Sequence, residues 1–435
     1  MRKSYRSLQE SVSPDSLIAD IRRGFDRIQD FRAANCSISL SDILMSVLAM
    51  FSLKYESLLE FDQQSESSLS NLQNLFGIKQ IGSDSCIRKV LDKLDWKHLQ
   101  NLLVERFLYL KTLGIVKDYR YLDGHTLLSV DGVEHFSSKK VHCDCCLSKM
   151  HKNGTVTYTH SMLCAVMVHP AQAEVFVIGT EPIQCQDGTQ KNDCERNAKK
   201  RLISYLSDNY KLEKFLFIED SLYSNAPNIE QIRDNGWAFI LGVKPAGNKY
   251  LFKLFETRRR NKKLISRYLV QEGKVKYEFY YFNNVSINES NPAVKVNFLY
   301  CEEIDFKGKR TAFSWVTSLP ISTRNILEIM RAGRSRWKIE NETFNTLKNQ
   351  GYRFEHNYGH GHQNLSCVFA HLMLLAFVND QILQRCSKLF QKIWQATGTK
   401  AKLWFMLKAA FLLKVYTTFK DMYWDIGSQF NVKLE

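Results

Sequence analysis

Three carboxylates carry the chemistry open to this chain. Asp131 follows the apolar, β-branched run Thr126-Leu127-Leu128-Ser129-Val130, and Asp220 follows Phe215-Leu216-Phe217-Ile218-Glu219. Both runs read as strands, so each Asp stands at a strand end, held rigidly and pointing out of a sheet. Glu340 lies on the stretch from Arg336 to Lys348. That stretch reads as part of a long helix that Ser322 N-caps, with Trp337, Ile339, Phe344 and Leu347 as its buried stripe. Mg²⁺ takes oxygen ligands and keeps several waters, so a few carboxylates suffice to hold it. Two such ions about 4 Å apart activate a water and stabilise the leaving oxygen of a phosphodiester. In that arrangement Asp131 bridges the ions, Asp220 serves one and Glu340 the other, while Arg336 and Lys348 face phosphates. The bland alternatives are a plain turn at Asp131-Gly132, a helix cap at Asp220 with Glu219 as its competitor, and a solvated helix residue at Glu340 with Glu342 as its competitor.

A second constellation is His142-Cys143-Asp144-Cys145-Cys146, followed by His151 and His160. Cys143 and Cys146 have the C-x₂-C spacing of a zinc half-site, which His160 or His151 could complete. Cys143, Cys146 and His160 are the expected set, pinning the long connection after the first strand with a structural Zn²⁺. No second C-x₂-C occurs, and Cys164, Cys185 and Cys194 are scattered, so reduced thiols are the competing reading. The basic run Arg258, Arg259, Arg260, Lys262 and Lys263 suits a DNA backbone. Asp187–Glu195 is charged and precedes a helix, whose end its carboxylates can cap. Asn357-Tyr358-Gly359-His360-Gly361-His362 reads as a Gly-rich loop.

These groups need elements to position them. Residues 1–37 form a polar segment with weak helical pattern over Leu17–Phe31. Residues 38–118 read as a helical domain: Ile43, Leu44, Val47, Leu48 and Phe51 recur at three- and four-residue steps, and further helices cover Asp84–Leu94 and Trp96–Leu110. From residue 119 to 244 the pattern alternates between strand and helix. Strands fall at Thr126–Asp131, Thr155–Val168, Glu174–Ile183, Phe215–Asp220 and Trp237–Val243, and helices at Asp193–Ser207 and Asn225–Asn235. This is the rhythm of a mixed α/β sheet. Residues 245–320 break it with three antiparallel strands, Val275–Phe282, Val294–Glu302 and Thr311–Thr317, as a β insertion. Residues 321–385 resume the core with the Glu340 helix, and 386–435 form a C-terminal helical region.

The 435 residues support two or three domains, and 44% hydrophobic with 12% aromatic content excludes global disorder. Lys and Arg total 60 against 45 acidic residues, a net charge of +15 that suits a polyanion, nucleic acid first. The Phe369–Val378 run is too short to span a membrane, and no signal-peptide core follows the basic start. Eleven irregularly spaced cysteines suit reduced thiols in a cytoplasmic protein.

Three motifs carry a family resemblance: Ser129-Val130-Asp131-Gly132-Val133-Glu134-His135-Phe136-Ser137-Ser138, Asp220-Ser221-Leu222-Tyr223 and Arg336-Trp337-Lys338-Ile339-Glu340. They resemble the insertion-sequence transposases, more narrowly the IS-four family, over roughly residues 38–385. That family's signature helix has a Tyr three residues before the Arg and a Lys seven after the Glu. Here the Tyr position holds Gly333, and Lys348 falls one residue late. The resemblance implies an RNase H-like DDE domain, using Mg²⁺ or Mn²⁺ in its place, that cleaves a strand at the element end. The freed 3′-OH then attacks other DNA, with no covalent protein–DNA intermediate and no ATP. It also implies double-stranded DNA partners (terminal inverted repeats and target), a dimer on DNA, and a cytoplasmic, nucleoid-associated location in a bacterium. The rivals are a catalytically silent transposase-derived DNA-binding protein and a metal-dependent nuclease without strand transfer.

Overall fold

The computed structural model describes Arg6, Gln9, residues 12–184 and residues 195–431, with only the backbone of Lys262. Its centre is one sheet of eleven strands: β1 (Arg120–Tyr121), β2 (His125–Ser138), β3 (Leu147–Met150), β4 (Val156–Met167), β5 (Phe176–Ile183), β6 (Phe215–Glu219), β7 (Ala238–Gly242), β8 (Ser266–Glu272), β9 (Val275–Ser286), β10 (Lys295–Ile304) and β11 (Arg310–Thr317). Strands β5, β4, β2, β6 and β7 lie side by side in that order; β4 is antiparallel to β2 and β5, while β2, β6 and β7 are parallel. Three meandering strands followed by two parallel ones reached through helical crossovers give the RNase H-like order. The crossovers are the helices Glu195–Asn209 and Ala226–Asp234. Phe215, Leu216, Phe217 and Ile218 are all fully buried, as a central parallel strand covered on both faces requires.

Several expectations need correction. The first strand does not end at Asp131. Antiparallel β4 pairs with β2 from Leu128↔Met167 to Ser138↔Tyr158, so a ladder partner continues past Asp131 where parallel β6 has stopped at Ser129↔Ile218. The turn lies instead at Asp123-Gly124, where Leu122, Asp123 and Gly124 all have positive φ. The β insertion is continuous with the core sheet. Its last strand, β11, pairs with β7 through Trp315↔Gly242, Val316↔Leu241 and Thr317↔Ile240, so β8–β11 extend the core sheet and cover what would be a bare edge. It also holds a fourth strand, β8. The basic run is helical in part, Arg258–Arg260 forming the last turn of the helix Lys249–Arg260.

The long helix expected up to Lys348 is broken. One helix covers Ile326–Arg334; its N-cap is Asn325, whose Oδ1 accepts from the Ser322 N–H at 2.9 Å, so Ser322 is not the cap. The Ser335 hydroxyl donates to the Ala332 carbonyl at 2.7 Å, competing with the helical ladder where the break falls. A π-helical turn then covers Ile339–Phe344 and an α-helical turn Asn345–Asn349. Ile339, Phe344 and Leu347 are buried, but Trp337 is 42% exposed, because the break swings it off the inward stripe.

A layer of helices covers one side of the sheet. Leu40–Ser52 is predominantly apolar, and all but its last residue are buried, each large apolar side chain contributing about 2 kcal/mol, while buried Asp42 is paired with Arg22 at 2.7 Å. Against it packs Leu365–Cys386, a helix of 22 residues that is longer than the short run read from sequence. Its length and composition would allow it to cross a bilayer, but it is enclosed between Leu40–Ser52, Lys97–Thr112 and β5. The C-terminal helices Lys388–Thr397, Lys400–Leu413 and Phe419–Gln429 pack together, and the last closes against the helix Pro14–Asp26, where the Phe419 N–H donates to Asp15 at 2.8 Å. One hydrophobic core runs from Val12 to Ile426.

Candidate active site

The register of the two central parallel strands sets the site. Thr126 faces Phe215 and Ser129 faces Ile218, so two residues further on Asp131 stands level with Asp220, on the same face by the twofold alternation of strands. Asp220 is the first residue beyond β6. Its carboxylate accepts the Leu222 N–H at 2.8 Å, which fixes a tight turn. It does not cap the next helix, whose N-cap is Asn225, accepting from the Asn228 N–H at 3.2 Å. Its neighbour Glu219 points to the opposite face, fully buried, where it meets Lys199 and accepts from Asn228 at 2.9 Å.

Arg336 gathers the other two carboxylates. Its Nη1 lies 3.1 Å from Asp131 Oδ2 and 2.7 Å from Glu340 Oε1, so those two oxygens are separated by no more than the combined length of the two contacts. The Ser129 hydroxyl donates to the Arg336 carbonyl at 3.4 Å and ties this turn to β2. Arg336 is thus turned inward to carboxylates. Burial pushes the Asp131 carboxyl up to about 6, against the Gly132 N–H and Arg336, which pull it down; Asp220 and Glu340 raise it further as like charges. All three expected carboxylates therefore act electrostatically at one place.

A fourth acid joins them from the charged stretch Asp187–Glu195. Glu195, at the head of its helix, accepts from the Tyr223 hydroxyl at 3.3 Å, and its Oε1 lies 2.7 Å from where a side chain on Gly132 would begin. Gly132, next to Asp131, thus leaves room for this acid. Burial, then Glu195, Asp131 and Asp220, push the Tyr223 phenol well above its usual range. Residues 187–194 of the charged stretch lie outside the described residues, so only Glu195 of it is placed.

The remaining expected contacts divide. Lys348 pairs with Glu355 at 2.5 Å. Arg259 is committed within the insertion: it pairs with Glu302 at 3.2 Å and lies over the Tyr280 ring at 4.8 Å. Arg258 lies over Phe282 at 4.6 Å, whereas Arg260 and Lys263 are exposed. A groove runs from Asp220 and Arg336 toward the insertion, lined by Lys244, Phe313, Arg334 and exposed Trp337. At its wall Gly333 abuts Trp315: a Cβ there would come within 2.5 Å of the indole nitrogen. That packing accounts for the missing Tyr side chain.

Away from this site, Cys143, Cys146 and His160 do come together, and His360 joins them from the Gly-rich loop. This group can hold a metal ion. No local spacing links His360 to His160, which stands 200 residues away. Every described cysteine is free of disulfide.

A sheet of this order, with acidic side chains converging beside its two central parallel strands, is of the RNase H-like class. The chain belongs to the family described as Transposase DDE domain, whose model matches residues 148–378, more than half of its length. The matched span contains Asp220 and Glu340 and begins after Asp131. Among solved structures, a cryo-EM structure of a piggyBac transposase synaptic complex with hairpin DNA is similar at 11% identity, covering 98% of this chain and 80% of that one, with a TM-score of 0.41. No curated protein gives a significant sequence match.

Proposed function

We propose that this protein is an insertion-sequence transposase of the IS-four type, cleaving DNA strands at the ends of its element and joining the freed 3′-OH to target DNA. The observation that carries this is that Asp131 and Glu340 meet at Arg336, with Asp220 level with Asp131 on the neighbouring strand, in a chain of the transposase family. The donor set fits a hard divalent cation. It consists of carboxylate oxygens alone, and the Asp131 carboxyl, raised chiefly by burial and further by the like charges of Asp220 and Glu340, is one whose ionised form a cation would favour. Asp131, Asp220 and Glu340 would hold Mg²⁺, or Mn²⁺ in its place, and the bound ions would supply activation of the attacking oxygen and stabilisation of the leaving one.

The protein's own groups do the rest. Asp131 must be ionised to serve as a ligand, and a bound cation would take over its neutralisation from Arg336, leaving the guanidinium to face a phosphate. Lys348 is a second phosphate contact once it leaves Glu355. Arg258, Arg260, Lys262 and Lys263 track the DNA backbone at the insertion, consistent with the net charge of +15. In cleavage, a water oxygen bonds to phosphorus and the 3′ oxygen leaves as a hydroxyl. In transfer, that hydroxyl bonds to a target phosphorus and one target P–O bond breaks. Each transfer replaces one phosphodiester by another, so no external energy source is needed. Two ends must be held together, so the active form is a dimer on DNA. The exposed apolar residues Phe405, Leu413 and Val415 offer a surface for it.

The test uses labelled terminal-repeat DNA, intact and pre-cut, with added Mg²⁺. Wild-type protein should nick the intact end and join the pre-cut end, and Asp131→Asn, Asp220→Asn and Glu340→Gln should each lose both while still binding DNA. Hydrolysis without joining would make it a nuclease. Binding with neither reaction would make it a silent DNA-binding descendant.

A further inference from the structure

Four side chains from two distant parts of the chain point at one centre. Cys143 and Cys146 lie in the connection between β2 and β3, His160 on β4, and His360 in the loop between the Asn345–Asn349 turn and the helix Leu365–Cys386. Cys143 Sγ and Cys146 Sγ are 3.9 Å apart, too far for a disulfide. His160 Nε2 lies 3.5 Å from Cys143 Sγ and 3.4 Å from Cys146 Sγ; His360 Nε2 lies 3.2 Å from Cys146 Sγ and 3.1 Å from His160 Nε2. A tetrahedral zinc with ordinary bond lengths has edges of about 3.8 Å between sulfurs, 3.5 Å between sulfur and nitrogen, and 3.4 Å between nitrogens. The five distances reproduce those edges to within a few tenths of an ångström.

The surroundings suit the same ligand. His360 Nδ1 donates to the Gly361 carbonyl at 2.8 Å, which leaves the Nε2 lone pair aimed at the centre, as the outer partner of a metal-binding histidine does. Phe136 packs against the His360 ring at 4.4 Å, and Cys146, His160 and His360 are all buried. Two thiols with two imidazoles select zinc over the oxygen-seeking Mg²⁺.

We propose that Cys143, Cys146, His160 and His360 bind one structural Zn²⁺, which clamps the loop leaving the Glu340 helical segment onto the sheet. The clamp has a companion. Asp92 accepts the N–H groups of His362, Gln363, Asn364 and Leu365 at 2.9–3.2 Å, so the same loop is held from its other side. Zinc would thereby fix the far end of the segment that carries Glu340, independently of what the three carboxylates do.

The experiment is metal analysis of the full chain purified without chelator. Wild-type protein should carry about one zinc, and Co²⁺ in its place should give the intense visible bands of tetrahedral cobalt with thiolate–cobalt charge transfer. Cys143→Ser and His360→Ala should lower zinc several-fold and speed amide exchange over residues 350–364. His362→Ala, two residues away and exposed, should keep its zinc. A wild-type protein free of zinc that yields no tetrahedral cobalt spectrum would overturn the site. Full zinc in His360→Ala would overturn the clamp. If Cys143→Ser does not fold, the wild-type stoichiometry and cobalt spectrum still decide.

Discussion

Asp131→Asn should make the protein more stable at neutral pH while removing its chemistry. The Asp131 carboxyl rises from 3.8 to about 6 on folding, chiefly through burial, with its side chain only 24% exposed. Between those values the folded state binds more protons than the unfolded one, so stability falls as pH climbs through the window and stays reduced above it. A rise of about two pK units at about 1.4 kcal/mol each sets a ceiling near 3 kcal/mol for this cost above pH 6. Asn keeps the shape and cannot ionise, and Arg336 retains Glu340, so the variant should escape most of it. Urea unfolding without added divalent ions should show Asp131→Asn about 1–3 kcal/mol more stable at pH 7.5, the gain vanishing toward pH 4. Mg²⁺ should raise the wild-type midpoint and leave the variant unmoved. A variant equal to or weaker than wild type at pH 7.5 would show that Asp131 is ordinarily solvated, and the argument from crowded carboxylates would fail.

Gly333→Ala should cost about 1–3 kcal/mol by forcing the indole of Trp315 aside, and that cost should largely disappear in a Trp315→Ala background, read as a double-mutant cycle. Lys199→Ala leaves Glu219 buried with only Asn228 for company, and thermal or urea unfolding should register a loss of about 3–5 kcal/mol; Lys199→Met with Glu219→Leu should recover most of it. Arg260→Ala with Lys263→Ala should flatten the salt dependence of DNA affinity by up to about two counterions and leave stability unchanged, measured by titration at several salt concentrations. Arg259→Ala should do the reverse, lowering stability by about 1 kcal/mol with little change in salt slope, because its charge is spent on Glu302.

Sequence periodicity located the elements that run straight through the core. The β6 run, the helices Glu195–Asn209 and Ala226–Asp234, and the alternation of the insertion strands are all readable because burial on a fixed face leaves a repeating pattern. What resisted reading depends on partners far away in the chain. Asp131 looked like a strand end because Gly132 follows, yet β4 carries the ladder on. His360 reads as a loop residue and not as a ligand because His160 is 200 residues distant. Glu195 was visible as an acid but not as a neighbour of Gly132. The Lys348 offset has a local cause that spacing rules do not contain. A π-turn absorbs one extra residue, so the eight-residue step from Glu340 to Lys348 covers about the rotation that seven make in a regular α-helix. Read along the actual backbone, Lys348 keeps the phase that the family resemblance calls for.

The unbroken sheet also divides the molecule mechanically. Any load that DNA places on the outer strand β8 passes through successive ladders of hydrogen bonds to β7, where Gly242 lies against the backbone of Asp220 and Ser221. Asp131 and Asp220 therefore ride on the same stiff plate as the insertion and cannot shift relative to it without tearing the sheet. Glu340 does not. It sits on a short helical stretch with a break before it and a loop after it, seated by Arg336, the Ser129 hydroxyl and the buried side chains of Ile339, Phe344 and Leu347. Glu340 is therefore set by side-chain packing and polar contacts, where Asp131 and Asp220 are set by backbone ladders, so the site joins two carboxylates on one plate to a third that is seated separately.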